Sequence, residues 1–182
     1  KKILDGIVEG CLISKCALLG GEMAEMPGTY EKNKFDLAGF AVGVVSKKNL
    51  LTKDKIKNDN VILAVPSSGL HSNGFSLVRH ILKKNKFLSQ KKMPMIIKKE
   101  IIKPTKIYVD EIIALNKKKL LNGCANITGG GLINNLTRII PEEKCINVNL
   151  SNIKIPPIFK WLKKNKIKVS EMISTFNCGV GF

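Results

Sequence analysis

Pro66-Ser67-Ser68-Gly69-Leu70-His71-Ser72-Asn73-Gly74 joins an apolar run, Val61-Ile62-Leu63-Ala64-Val65, to Phe75-Ser76-Leu77-Val78-Arg79-His80-Ile81-Leu82. The run before it is short and β-branched at both ends, which predicts a strand. In the segment after it, Leu77, Val78, Ile81 and Leu82 share one helical face. The stretch between them therefore reads as a strand-to-helix loop. Proline ends the strand because it has no N–H to give to a ladder. The two glycines permit positive φ and close approach of the backbone. Hydroxyls, an amide, an imidazole and the N–H groups of the helix start then converge where an anion is favoured. That is the chemistry of a phosphate cradle, although no G-K-[ST] follows and the loop is not of the Walker type. An ordinary capped connection uses similar residue types. The density of Ser, Gly, His and Asn from Ser68 to Gly74 favours the cradle.

A second turn of this kind follows. Cys124-Ala125-Asn126-Ile127 reads as a strand, Thr128-Gly129-Gly130-Gly131 as a turn, and Leu132, Ile133, Leu136, Ile139 and Ile140 as the apolar face of a helix. The glycines fit either close approach of a substrate to the backbone or a tight turn alone. Elsewhere, Ile3, Leu4, Ile7, Val8, Cys11 and Leu12 form one helical face. Cys16-Ala17-Leu18-Leu19 reads as a short buried strand, Phe35 to Val45 as a long strand, and Ile146 to Leu150 as an alternating one. Lys83 to Lys103 is a basic connection. Pro104 fits a helix start, and Ile107 to Lys118 carries the helical pattern; Pro156-Pro157 opens a further helix. Phe176 to Phe182 reads as the beginning of a strand, and the polar Ser46 to Asn60 as a linker. Helical periodicity is already running at Lys1, so the expectation is that an N-terminal part is missing.

The 182 residues allow one large domain or two small ones. The sequence has neither an apolar run of membrane-spanning length nor a signal-peptide pattern at its start, which predicts a soluble, cytoplasmic protein without a membrane partner. Five cysteines without CxxC spacing read as buried reduced thiols rather than disulfides or a metal centre. The net charge of +17 raises the possibility of nucleic acid. Of the 31 basic residues, however, only Arg79 and Arg138 are arginine, whose bidentate fork suits base and phosphate readout. The lysines are scattered in short runs such as Lys83-Lys84, Lys91-Lys92, Lys98-Lys99, Lys117 to Lys119 and Lys163-Lys164, with few aromatics between them. They predict solvated helix ends and no nucleic-acid partner.

Several stretches together resemble the phosphoribosylformylglycinamidine cyclo-ligases, also called aminoimidazole ribonucleotide synthetases. They are Gly20-Gly21-Glu22-Met23-Ala24-Glu25-Met26-Pro27-Gly28 with Phe35-Asp36-Leu37-Ala38-Gly39-Phe40, Ser67 to Arg79, Pro104-Thr105-Lys106-Ile107-Tyr108-Val109, and Ile127-Thr128-Gly129-Gly130-Gly131. The tail also fits, through Pro156-Pro157-Ile158-Phe159-Lys160-Trp161-Leu162 and Thr175-Phe176-Asn177-Cys178-Gly179-Val180-Gly181. The motifs span nearly the whole chain in the family's order. Met23 stands where the family usually has Thr, and Phe35 where it has Tyr. The family's upstream D-G-V-G-T-K and V-N-D segments, which carry carboxylates for its ATP–metal site, are absent from these residues.

The resemblance implies an α/β (α+β) two-domain architecture, with sheets packed against helices and the first domain incomplete. Residues 1–46 would be the C-terminal part of an ATP-binding and dimerisation domain, 47–58 a linker, and 59–182 a C-terminal domain truncated at its end. The implied activity is ATP-dependent closure of the imidazole ring of formylglycinamidine ribonucleotide in purine biosynthesis. It uses Mg²⁺ in a homodimer, and this part alone would be inactive. Glu22 is implied as a catalytic, ATP- and metal-binding carboxylate, with Glu25 also at the ATP site; a solvated loop acid would look the same. Asp36 reads as structural and His80 as a surface residue. Ser68, Gly69, His71, Ser72, Asn73 and Gly74 are assigned to the substrate 5′-phosphate, and Gly129, Gly130 and Gly131 to its neighbourhood. His71 fits a hydrogen-bond donor more simply than a general acid or base. Two alternatives remain: another phosphoryl-transfer enzyme of the same superfamily, or a non-catalytic basic module that binds anions.

Overall fold

The segment after Gly74 is a helix, as its periodicity predicts: Phe75–Lys84 buries Val78, Ile81 and Leu82. The computed structural model describes residues 1–87 and 93–182, so the Lys91-Lys92 run and part of the basic connection lie outside the described residues. Among the described residues the α-helices are α1 (Lys2–Ile13), α2 (Phe75–Lys84), α3 (Met95–Ile101), α4 (Val109–Lys117), α5 (Gly131–Thr137), α6 (Pro157–Lys164) and α7 (Val169–Thr175). The chain divides into two units, Lys1–Leu50 and Leu51–Phe182.

The α/β expectation, with sheets packed on helices, is overturned. Among the described residues the β-structure is a single isolated antiparallel bridge, Pro66 to Val180. The reason lies in pairing. A strand is held by backbone bonds to a neighbour. Phe35 to Val45 has the composition of a strand, but Phe40 and Val44 are fully exposed, Val42 nearly so, and no ladder covers them. Cys16 to Leu19, expected to be buried, is exposed and non-helical. Val61, Ile62 and Leu63 are also exposed. What survives is a short backbone junction. Val65 N–H donates to the Phe182 carbonyl at 2.9 Å, Gly181 N–H to the Val65 carbonyl at 2.9 Å, and Ser67 N–H to the Gly179 carbonyl at 2.9 Å. Ile127 N–H donates to the Gly181 carbonyl at 3.0 Å. Three chain segments thus lie side by side without extending into a sheet.

The second unit has a continuous apolar core. Phe159 and Phe176 are fully buried, with ring centroids 5.9 Å apart in an edge contact. Around them pack Val78, Ile81 and Leu82 of α2, Ile97 of α3, Leu132 of α5, Ile158 and Leu162 of α6, and Met172 of α7. Burying a side chain of this size contributes about 1.5–3 kcal/mol each. Helix α3 packs on α6 and α5 on α7. Pro157 opens α6, where its missing N–H costs nothing. Pro104, by contrast, precedes α4 by several residues and lies in non-helical chain.

In the first unit α1 forms as its periodicity predicts, but none of its residues is buried. The lysine runs at 83–84, 98–99 and 163–164 and Lys117 sit in the last turns of α2, α3, α6 and α4, where cations oppose the helix dipole. Of the five free thiols only Cys178 is buried; Cys11 and Cys124 are half-buried and Cys16 and Cys145 exposed. Burial raises the Cys124 thiol and pushes Cys178 up to about 11. No described helix is long and apolar enough to cross a membrane.

Candidate functional site

Two distant segments clamp the loop from Ser67 to Gly74. The first is the tail. Asn177 is buried, and its Nδ2 donates to the Gly69 carbonyl at 2.8 Å and to the Leu70 carbonyl at 3.3 Å. Its Oδ1 accepts from Gly179 N–H at 2.9 Å, and Ser67 Oγ lies 2.9 Å from the same oxygen. The second is the connection before α4. Ser68 Oγ donates to the Pro104 carbonyl at 2.6 Å, and Ser72 Oγ lies 3.2 Å from Thr105 Oγ1. Tyr108 Oη donates to the Pro66 carbonyl at 3.0 Å. Burial, with the nearby Glu111 charge, pushes the Tyr108 hydroxyl up to about 12, so it remains a donor at neutral pH.

His71 is buried within the loop and holds a left-handed backbone, φ +58°. Its ring centroid is 6.1 Å from that of Tyr108. Burial lowers its pKa, which keeps the imidazole neutral at pH 7. Nε2 accepts a hydrogen bond from Ser68 N–H at 3.2 Å. The proton of the neutral ring is therefore on Nδ1, and only that nitrogen is left to donate.

Gly74 caps α2 at φ +76°, and a Cβ there would overlap the Phe176 ring. Aromatic core and loop geometry are thus fixed together. At the second glycine turn, a Cβ on Gly129 would stand 3.4 Å from Asn73 Oδ1, so the two turns meet. A Cβ on Gly131 would overlap the Ile173 carbonyl, giving that glycine a packing role between α5 and α7. Buried Asn135 gathers the same turn, its Nδ2 donating to the Gly131 carbonyl at 2.7 Å and lying 3.2 Å from the Gly129 carbonyl.

Ser68, Gly69, His71, Ser72, Asn73, Gly74 and Gly129 therefore belong to one neighbourhood in the second unit. Ser72 is exposed and Asn73 half-buried, which leaves hydroxyl and amide donors at its surface. Glu22 and Glu25 lie in the first unit, both exposed in non-helical chain. No group of three or more His, Cys, Asp or Glu among the described residues is placed to hold a metal ion. Glu22 and Glu25 do not by themselves make a magnesium site, since that ion demands near-octahedral oxygen ligation.

Sequence reasoning assigned no role to Thr105, Tyr108, Asn135 or Asn177. Pro104 to Val109 and Thr175 to Gly181 stood out as motifs, but local spacing does not reveal that Asn177 reaches back to Gly69. An Asn next to a glycine otherwise reads as turn chemistry alone.

Residues 57–182 match the family described as AIR synthase related protein, C-terminal domain. The chain is also similar to curated phosphoribosylformylglycinamidine cyclo-ligases. It is 45% identical to that of Shouchella clausii (strain KSM-K16) over 98% of this chain and 53% of the relative. It is 45% identical to that of Bacillus cereus (strain Q1) over 100% of this chain and 54% of the relative. The Lactobacillus helveticus (strain DPC 4571) protein is 42% identical over 99% of this chain and 53% of its own length. The chain thus spans about half the length of the curated relatives it matches.

Proposed function

The chain belongs to the AIR synthase related protein family, whose C-terminal domain it carries over residues 57–182, and from that membership we propose that it acts as part of an ATP-dependent cyclo-ligase. The reaction is closure of the imidazole ring of formylglycinamidine ribonucleotide, in the cytoplasm, to give aminoimidazole ribonucleotide, ADP and phosphate. The formyl oxygen takes the γ-phosphoryl group and ADP leaves. A substrate nitrogen then attacks that carbon, and phosphate departs with the former formyl oxygen. Residues 1–46 contribute to an ATP-binding and dimerisation domain, 47–58 link, and 59–182 bind the ribonucleotide. Glu22 is the carboxylate this chain offers to ATP and magnesium, with Glu25 nearby in sequence, and further acids are required. Exposed Phe40, Val42 and Val44 support a homodimer contact in the first unit.

The observation that carries this reading is the clamped loop. Ser68 and Ser72 are tied to Pro104 and Thr105, Gly69 to Asn177, and Asn73 meets Gly129. A loop fixed at both flanks holds its donors in place before an anion arrives, which is the basis of phosphate recognition by positioning. His71, neutral and bonded through Nε2, suits donation from Nδ1 rather than proton shuttling.

Calorimetric titration tests the assignment. Ser72→Ala or Asn73→Ala removes about one hydrogen bond to a charged group, roughly 1.5–3 kcal/mol. In the complete enzyme, each is expected to weaken formylglycinamidine ribonucleotide binding more than ATP binding. Equal losses for both ligands would place the loop at the wrong phosphate.

A further inference from the structure

Resting on the phosphate reading of the loop, we propose that Lys103 supplies the positive charge of that site and that the buried Glu100 is the positioning residue that holds it there. The loop's own groups are neutral. Ser72 offers a hydroxyl and Asn73 an amide, the Ser68 hydroxyl is spent on the Pro104 carbonyl, and His71 is kept uncharged by burial. Hydrogen bonds to a phosphate dianion are stronger when the donor is a cation. Lys103 precedes the two residues that clamp the loop, Pro104 and Thr105. Its stem lies against the loop: Cδ is 3.8 Å from where a Cβ on Gly69 would stand. Its side chain is 43% exposed, so the ammonium stays within reach of a ligand.

Glu100 explains why a flexible lysine remains there. It lies in the last turn of α3, is 4% exposed, and bonds the Lys103 ammonium through Oε1. Oε2 is buried without a hydrogen-bond partner, 4.0 Å from the same Cβ position at Gly69. A carboxylate in this setting is costly, and among the described residues its ion pair is with Lys103, so the pair is held together beside Gly69. The ammonium has three N–H groups. One serves Glu100, and two are left for phosphate oxygens.

The test is binding of inorganic phosphate and ribose 5-phosphate to this chain, followed by ³¹P NMR titration. Lys103→Met keeps the stem at a half-exposed position but leaves the buried Glu100 carboxylate without that partner. Its fold is therefore checked by circular dichroism and a thermal melt, and the double variant with Glu100→Gln, which removes both charges, carries the test if the single variant unfolds. Lys103→Met is expected to weaken both ligands about tenfold, the size of one charge-assisted hydrogen bond, and to flatten the salt dependence of binding. Lys103→Arg should stay within about threefold of wild type, since it restores the charge. Glu100→Gln should weaken binding only through Lys103, so the double variant with Lys103→Met binds no worse than Lys103→Met alone. Additive losses in that pair would overturn the positioning role. Unchanged binding in Lys103→Met alongside a loss in Ser72→Ala would overturn the inference and leave the phosphate loop standing. Wild-type binding in Ser72→Ala would remove the loop reading, and the inference with it.

Discussion

His71 shows how a residue of evident chemical promise is turned to one use by its surroundings. In sequence it is an imidazole among Ser, Gly and Asn, equally suited to proton transfer and to phosphate. Burial then favours the neutral ring, and Ser68 N–H occupies Nε2. A buried base with a lowered pKa makes stability depend on pH in a definite direction. The unfolded chain takes up the proton near 6.5 and the native chain only below that. Stability is therefore level above about pH 6.5 and falls as pH drops through it. Denaturation at pH 7.5 and 5.5 should show this loss, and His71→Gln should reduce it. Equal dependence in that variant would mean other groups carry the effect. The loop and its anion chemistry were legible because Ser, Gly, His and Asn are adjacent. Asn177, Thr105 and Tyr108 were not, because their partners are set by tertiary packing rather than spacing.

Helices were more legible than strands, and the reason is physical. A helix satisfies its backbone within itself, so an apolar stripe such as Val78, Ile81 and Leu82 is enough to announce α2. A strand needs a neighbour, and among the described residues the run Val61 to Val65 is bonded at its end, through Val65. Composition reported their preference but not their partners. The start of α2 also ties element to core. Gly74 sits at φ +76° with no room for a Cβ beside Phe176, itself fully buried. Gly74→Ala meets both penalties: about 1 kcal/mol for the left-handed backbone and about 1–3 kcal/mol for overpacking. Urea unfolding should show a lower midpoint with little change in slope. A midpoint equal to wild type would mean that Phe176 can move aside at no cost and that the loop is less tightly coupled to the core.

Charge and burial are distributed unevenly over the whole molecule. The excess of 17 positive charges is carried almost wholly by lysine, dispersed along the chain, with pairs in the last turns of α2, α3 and α6. Such dispersed, solvated charge supports weak, salt-sensitive attraction to polyanions but not sequence readout. Filter binding at about 150 mM salt, where the Debye length is about 8 Å, should retain no DNA in a sequence-dependent way; tight, sequence-dependent retention would overturn this. Burial is more unequal still. No residue from Lys1 to Leu50 is buried, whereas the second unit holds the aromatic core and the clamped loop. Segments with few buried contacts open locally at little free-energy cost. Proteases cut where the backbone opens. Trypsin, offered Lys15, Lys32, Lys34, Lys47 and Lys48, should therefore clear the first unit before the second, despite the abundance of lysine in both. Mass spectrometry should find a persistent product that begins between Lys48 and Lys57 and runs on to the tail. Its cooperative heat transition should match that of the intact chain, because the buried core is retained. Self-association should also fall on clipping, since Phe40, Val42 and Val44 offer an unpaired apolar edge. A first unit that survived as long as the second would show that its extended segments are covered in solution, by other copies of the chain, and a higher mass in ultracentrifugation would then accompany the protection.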